Sequence, residues 1–315
     1  GEGVGSPLLA VWFSLACLPA TLAGGGMVQS GSIAASLHGA FGWPSLAIGL
    51  GTAAAAGMIL TGGLGRIARV SQALVPTMAL LYLGGGALVL LLRWQQVPQA
   101  LSLIFRCALT PQAALGGGLG WTAAEALRHG VARGVFTNEA GLGTSAMAHG
   151  AAEVDHPARQ GMWGIFEVFF ATLLTCTLTA LVILVGGVYQ PETVLAHLRQ
   201  GTLPDWALGV PLTARSFSAV LGEAGAWIVW ISLLLFAFSS ILGWSYYGQQ
   251  SLRFLTGGDR LLPLYRAVFL GCVVLGACGN SAGLWQLVDL CNALMAIPNL
   301  LALLLLAPQA LRLLQ

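Results

Sequence analysis

From Pro7 to Leu37 the chain carries no Asp, Glu, Lys or Arg. An α-helix needs about 20 mostly apolar residues to cross the hydrocarbon of a bilayer, and this stretch is longer than that. Inside hydrocarbon every backbone amide must find its partner within the protein. A chain built of such stretches is therefore confined to helices or closed barrels. Further stretches of this kind lie at Trp43–Leu64, Val70–Leu92, Gly161–Gly187, Ala226–Tyr247, Leu261–Gly279 and Leu284–Ala307, with a broken one around Gly116–Ala152. Their length and continuity predict an all-α, polytopic membrane protein with about eight transmembrane helices, one of them discontinuous. No linker divides the chain, which reads as a single transmembrane domain over residues 1–315.

Composition agrees. Only 8% of residues are charged and 57% are hydrophobic, where a soluble domain carries roughly 25% charged residues. The expected partner is the lipid bilayer, and the expected location is the cell membrane (plasma or inner), crossed several times. A net charge of +2 is too small to suggest a nucleic-acid partner. Cys17, Cys107, Cys176, Cys272, Cys278 and Cys291 are scattered without a CxxC pair. They read as apolar packing residues, so no transition metal and no cofactor are expected.

Every basic residue is Arg. Arg66, Arg69, Arg159, Arg253, Arg260, Arg266 and Arg312 follow even-numbered spans; Arg93, Arg106, Arg199 and Arg215 follow odd-numbered ones. Basic residues mark the inner side. The bias places the chain start inside and the loops Arg93–Leu115 and Gln190–Leu221 outside. Pro44 suits the first turn of its helix, while Pro19 and Pro76 fall within spans and are expected to kink them. The first residue is Gly, and no basic segment with a cleavage site follows it. The expectation is a fragment whose natural start is missing.

Against this apolar background, "ARGVFTNEAGLGTSA" (Ala132–Ala146) concentrates Arg133, Asn138, Glu139 and three glycines. Ionisable groups at membrane depth usually mark a pathway, a site or an internal pair. Glu125 stands three and four residues before Arg128 and His129, which allows local neutralisation. Gly134, Gly141 and Gly143 each lower helix propensity by ~1 kcal/mol relative to Ala. A helix broken here bares backbone groups that survive only against protein or a wet cavity. Amide N–H groups at the start of the second half-helix suit a carboxylate, and carbonyls of the unwound part suit an ammonium group or a small cation. The competing reading is a glycine-rich packing hinge.

Other polar sites are weaker alone. In "FAFSSILGW" (Phe236–Trp244), Ser239 and Ser240 offer hard oxygens to Na⁺, and Trp244 lies one turn beyond Ser240 on the same face. Such serines also bond back to their own helix. In "GGGMVQSGS" (Gly24–Ser32), small residues allow close helix approach, with Gln29 placed to bond a substrate, an unwound segment or a neighbouring helix. Asp289 and Asn292 lie one turn apart in an apolar helix, and Pro298–Asn299 are expected to disturb its lower half. An intramembrane hydrolase built on Ser239 or Ser240 with His149 or His156 fits poorly. The serines lie deep, both histidines fall at or near an inside loop, and no HExxH is present. The chain is not read as an enzyme.

In this order, "MVQS" (Met27–Ser30), "RIARV" (Arg66–Val70), "LTPQAA" (Leu109–Ala114), "GVARGVFTNEAGLGTS" (Gly130–Ser145), "DHPARQG" (Asp155–Gly161), "CTLTALVIL" (Cys176–Leu184), "FAFSSILGWSYYG" (Phe236–Gly248) and "LMAIPNLLALLLL" (Leu294–Leu306) resemble the alanine or glycine:cation symporter family, a LeuT-like branch. The resemblance covers nearly the whole chain. It implies a partial LeuT-like inverted-repeat bundle that begins at the third core helix and lacks the first two. It implies Na⁺-coupled symport of alanine or glycine by alternating access, with Na⁺ as coupling ion. By position it implies a substrate site of Gln29, Phe136, Asn138, Ala140, Ser240 and Trp244, and a sodium site of Ser239 and Ser240. It also shows departures. The family carries Asn at the positions of Gly26 and Gly31, Thr at Ser240 and Asp at Ala171, and Glu167, one turn before Ala171, is expected to take over that charge, paired with Arg133. The alternative is a truncated, non-transporting remnant or scaffold of the same family.

Overall fold

The computed structural model describes residues 4–109, 123–190, 194, 197, 200, 202, 204–207, 209–279 and 282–313. These residues contain no β-strand. The helices are α1 (Pro7–Phe41), α2 (Ser45–Leu60), α3 (Gly63–Leu92), α4 (Val97–Leu109), α5 (Ala123–Asn138), α6 (Thr144–His149), α7 (Pro157–Val185), α8 (Gly209–Leu221), α9 (Glu223–Thr256), α10 (Leu262–Cys278) and α11 (Ala282–Leu313). In length and apolarity α1, α3, α7, α9 and α11 suffice to cross a bilayer, and α2 and α10 are shorter apolar helices. The all-helical, polytopic reading is thus met. "LTPQAA" falls mostly outside the described residues, as do the Glu125 and His129 side chains and hence their pairing with Arg128.

Two expectations need correction. The segments read as outside loops are partly helical: α4 occupies Val97–Leu109 and α8 occupies Gly209–Leu221. Both are too short and too polar to register as spans, so hydropathy alone passes over them. Pro298 leaves α11 continuous. A proline deletes one amide donor, and a long helix with tertiary neighbours tolerates that loss.

The chain divides into two compact units. One comprises Gly1–Val75, Asn138–Phe169 and Leu234–Gln315, the other Pro76–Thr137 and Phe170–Leu233. Several divisions fall where a helix is weakened. In α3 the boundary is at Pro76; in α7 it is where a π-helical segment, Phe169–Cys176, begins; in α5 it is next to the helix end at Asn138.

In the first unit α10 packs against α2 and against the Thr21–Phe41 part of α1, while the Pro7–Ala20 part of α1 packs against α11. Ile33, Ala56, Leu60, Ile241, Leu242, Phe269 and Val273 form the buried core. Backbones meet where side chains are small. A methyl on Gly276 of α10 would strike the Met27 backbone of α1, and one on Gly49 of α2 would strike Ala277. This is the close approach that the small residues of "GGGMVQSGS" lead one to expect, with glycine on the partner helix as well. Just after Pro19, α1 widens into a π-helix over Thr21–Val28. Thr21 Oγ1 donates to the Leu18 carbonyl at 2.8 Å, so the Tyr265 hydroxyl, 2.9 Å away, donates to Thr21 and ties this segment to α10. Leu8, Ile165 and Leu304 are more than 70% exposed, an outward apolar surface that suits lipid.

In the second unit the Tyr82 hydroxyl lies 2.7 Å from Thr179 Oγ1, which itself donates to the Thr175 carbonyl at 2.8 Å. The Tyr82 and Phe217 rings lie 5.6 Å apart. A methyl on Gly86 would meet Leu178, and one on Gly225 the Phe217 backbone.

Candidate functional site

Helix α5 ends at Asn138 and α6 begins at Thr144. The break between them is narrower than the Gly134–Gly143 interval suggests, because Gly134 remains helical. Its backbone is left-handed at three places: Glu139 (φ 52), Gly141 (φ 75) and Gly143 (φ 91). Glycine adopts this region freely. For a glutamate it costs about 1–3 kcal/mol, which the surrounding structure must offset. Part of that support is visible. The Leu142 N–H donates to the Glu139 carbonyl at 3.2 Å, and Asn299 Nδ2 of α11 donates to the Gly141 carbonyl at 2.9 Å. Asn299 and Phe13 pack where a side chain on Gly143 would stand. The bared backbone thus finds its partners in protein, as a low-dielectric setting demands.

Helix α6 is six residues long. A helix this short builds little macrodipole, so what it offers an anion is its free first-turn N–H groups rather than a long-range field.

Glu139 faces a cavity of about 230 Å³ lined by Ser71, Val75, Glu139, Ser239, Ser240, Gly243, Trp244 and Tyr247. Ser239, Ser240 and Trp244 therefore come together with the break. Ser239 Oγ donates to the Phe236 carbonyl at 2.9 Å. That commits its proton to the helix and turns its lone pairs outward, the orientation that a cation ligand and a helix-bonded serine share. Trp244 is buried, its ring 5.8 Å from that of Tyr247 in a near-perpendicular pair, and Gly25 of the α1 π-segment abuts its Cβ.

The remaining anticipated residues sit elsewhere. Asn138 closes α5 beside Glu139 and is half-buried. Gln29 follows the π-segment in α1, half-buried, one turn past the Gly25–Trp244 contact, and is not on the cavity wall. Ala140 lies exposed within the break. Phe136 belongs to the other unit, on α5. Glu167 has His149 as a neighbour, its carboxylate 3.3 Å from the Nε2 atom, and His149 Nδ1 lies 2.7 Å from the Gln160 amide. This contact joins α6 to α7. Arg133, the partner expected for Glu167, lies in the other unit.

Glu139, Tyr247 and Ser71 are wall residues that the sequence reading did not assign to the site. Glu139 was visible as a charge that weakens a helix, but a left-handed glutamate has no sequence signature. Tyr247 could be found by periodicity, since it lies one turn beyond Trp244 on α9.

Five helices long and apolar enough to cross a bilayer, together with a polar helix that is interrupted beside a cavity and tied there to α11, are the features of a polytopic α-helical membrane protein of the transporter class. The chain belongs to the sodium:alanine symporter family, whose model matches residues 1–315. It is 35% identical to the uncharacterized transporter YflA of Bacillus subtilis over 98% of this chain and 65% of that protein. It is 36% identical to the sodium/alanine symporter AgcS of Methanococcus maripaludis over 90% of this chain and 59% of that one. It is 33% identical to a sodium/proton-dependent alanine carrier protein of Bacillus sp. PS3, over 89% of this chain and 63% of the carrier. The chain thus spans less than two thirds of the length of these relatives.

Proposed function

We propose that the protein is a sodium-coupled symporter of a small amino acid, alanine or glycine, acting across the cell membrane by alternating access, with residues 1–315 working as one transport domain. The observation that carries this reading is the meeting of Glu139, the left-handed first residue of the break, with Ser239, Ser240 and Trp244 on one cavity. The names of two relatives, a sodium/alanine symporter and a sodium/proton-dependent alanine carrier, support the same choice of substrate and ion.

In this reading the free N–H groups at the start of α6 receive the substrate carboxylate. Ser239 and Ser240 contribute two hydroxyl ligands to Na⁺. Gln29 and Asn138 contribute amide groups to the substrate, while Ala140 and Trp244 limit its side chain. Bulky substrates are excluded by overlap with these walls, which discriminates better than attraction alone. Ion and substrate each help order the same unwound segment, so each raises the affinity for the other.

Uptake of labelled alanine and glycine into proteoliposomes containing the intact protein tests the proposal. Uptake driven by an inward Na⁺ gradient and abolished by replacing Na⁺ with choline is expected. Uptake indifferent to Na⁺ in a correctly folded preparation overturns it.

A further inference from the structure

We propose that Arg66 and Arg266 bind the phosphate of an anionic phospholipid, at the end of the first unit where the α2–α3 and α9–α10 turns lie. This binding does not depend on what the protein carries.

The register of α2 on α10 brings the two side chains to one level. A methyl on Gly49 would meet Ala277 and Val274, and one on Gly57 would stand 3.2 Å from Leu270, so the two helices run antiparallel. Arg266 lies one turn before Leu270 on the same face of α10, which sets it level with the last turn of α2. Arg66 reaches that turn from the start of α3, its Nη1 donating to the Met58 carbonyl at 2.7 Å. Both poses are held. A methyl on Gly62 would strike the Arg66 guanidinium, so glycine there makes room for it. Arg266 Nε donates to Gln249 Oε1 at 2.9 Å. Gln249 is buried, and its amide nitrogen donates to the Ser245 carbonyl at 3.2 Å, which leaves its oxygen for Arg266. Arg266 keeps both Nη groups for a further partner, a fork that fits two oxygens of a phosphate.

Charge and apolar surface together select the occupant. From Leu60 to Val70 and from Gln249 to Arg266 the chain carries five arginines and one acidic residue, Asp259. Arg253 takes that carboxylate, with contacts of 2.6 and 3.3 Å. Arg69 and Arg260 are exposed, and among the described residues neither has a hydrogen-bond or ion-pair partner. An anion offsets the repulsion among the four arginines left over. Leu64, Leu261 and Leu264 flank them in sequence and are each more than 40% exposed. A free phosphate makes no contact with leucine, whereas a phospholipid brings phosphate and hydrocarbon together. Basic pockets between membrane helices recognise anionic headgroups in this way, and the arginine bias assigns this end to the inner leaflet.

The test uses the purified, detergent-solubilised intact protein. Phosphatidylglycerol and phosphatidylcholine of the same acyl chains are titrated in turn, and bound lipid is measured by native mass spectrometry. Phosphatidylglycerol is expected to bind more than about tenfold tighter. Arg66→Gln and Arg266→Gln each weaken it about fivefold or more, the weight of one arginine beside an anionic surface, and leave phosphatidylcholine unchanged. Two variants keep the charge and lose the pose: Arg266→Lys lacks the fork, and Gly62→Ala displaces Arg66. Both are expected to weaken phosphatidylglycerol severalfold. Arg312→Gln, which removes an exposed charge from α11, is expected to leave it unchanged. If Arg266→Gln fails to fold because Gln249 loses its partner, Arg66→Gln and Gly62→Ala carry the test. Equal affinity for the two lipids overturns the proposal, and so does an unchanged affinity for phosphatidylglycerol in folded Arg66→Gln and Gly62→Ala. A loss in Arg312→Gln equal to that in Arg66→Gln overturns it too, since charge without a site then suffices. Glycerol 3-phosphate that displaces phosphatidylglycerol at equal concentration makes the occupant a soluble anion and overturns the lipid assignment.

Discussion

The side-chain amide of Asn299 donates to the backbone carbonyl of Gly141 at 2.9 Å, tying α11 to the break between α5 and α6. The carbonyl it satisfies has no helical partner. Losing the bond leaves a bare acceptor in a low-dielectric setting, a cost of about 1–3 kcal/mol. Asn299→Leu is expected to lower the unfolding free energy of the purified protein by that amount, read from chemical denaturation, and to reduce Na⁺-driven uptake. Stability and uptake both equal to the parent's would show that the clamp is idle.

Gly143 and Gly134 make a contrasting pair. Gly143 has φ 91, and a methyl there would meet Asn299 and Phe13; Gly134 is helical with open space around it. Gly143→Ala is expected to destabilise by about 1–3 kcal/mol through backbone strain, beyond any steric cost. Gly134→Ala should be neutral or stabilising by up to about 1 kcal/mol. Chemical denaturation of the two variants checks the order, and the reverse ranking counts against the placement of the break.

A second pair probes the contact between α1 and α10. Gly276→Ala drives a methyl into the Met27 backbone, whereas Gly271 has nothing nearby. Backbone cannot swing aside as a side chain can, so an overpacking cost of about 1–3 kcal/mol is expected for Gly276→Ala. Gly271→Ala should leave the thermal midpoint unchanged or raise it.

Ser240→Thr keeps the hydroxyl and Ser240→Ala removes it. On the proposed sodium chemistry, Ser240→Ala raises the Na⁺ concentration for half-maximal uptake, and Ser240→Thr leaves it near the parent value. Equal Na⁺ dependence in all three would detach Ser240 from the ion.

The His149–Glu167 contact is open to solvent on the Glu167 side, whose side chain is 61% exposed. Exposed ion pairs contribute about 0–1 kcal/mol and are screened by salt. Glu167→Gln should therefore shift stability by less than about 1 kcal/mol, and the difference should shrink further in high salt. A larger loss would place Glu167 in a tighter electrostatic network than its exposure indicates.

The amino-acid order by itself determined the helical membrane class, the positions of the seven apolar stretches other than Gly116–Ala152, and the weakness of the chain near Asn138–Gly143. Hydrophobic length and glycine propensity are local quantities, summed along the chain and independent of what packs where. It could not decide that α4 and α8 are helices, because a short half-polar helix takes its stability from a packed face. Nor could it decide that Glu139 turns left-handed alongside Gly141 and Gly143, or that Asn299 and Gly141, far apart in sequence, share a hydrogen bond. Those are properties of the assembled unit: a strained backbone and an orphan carbonyl persist only where residues from another helix already stand to hold them.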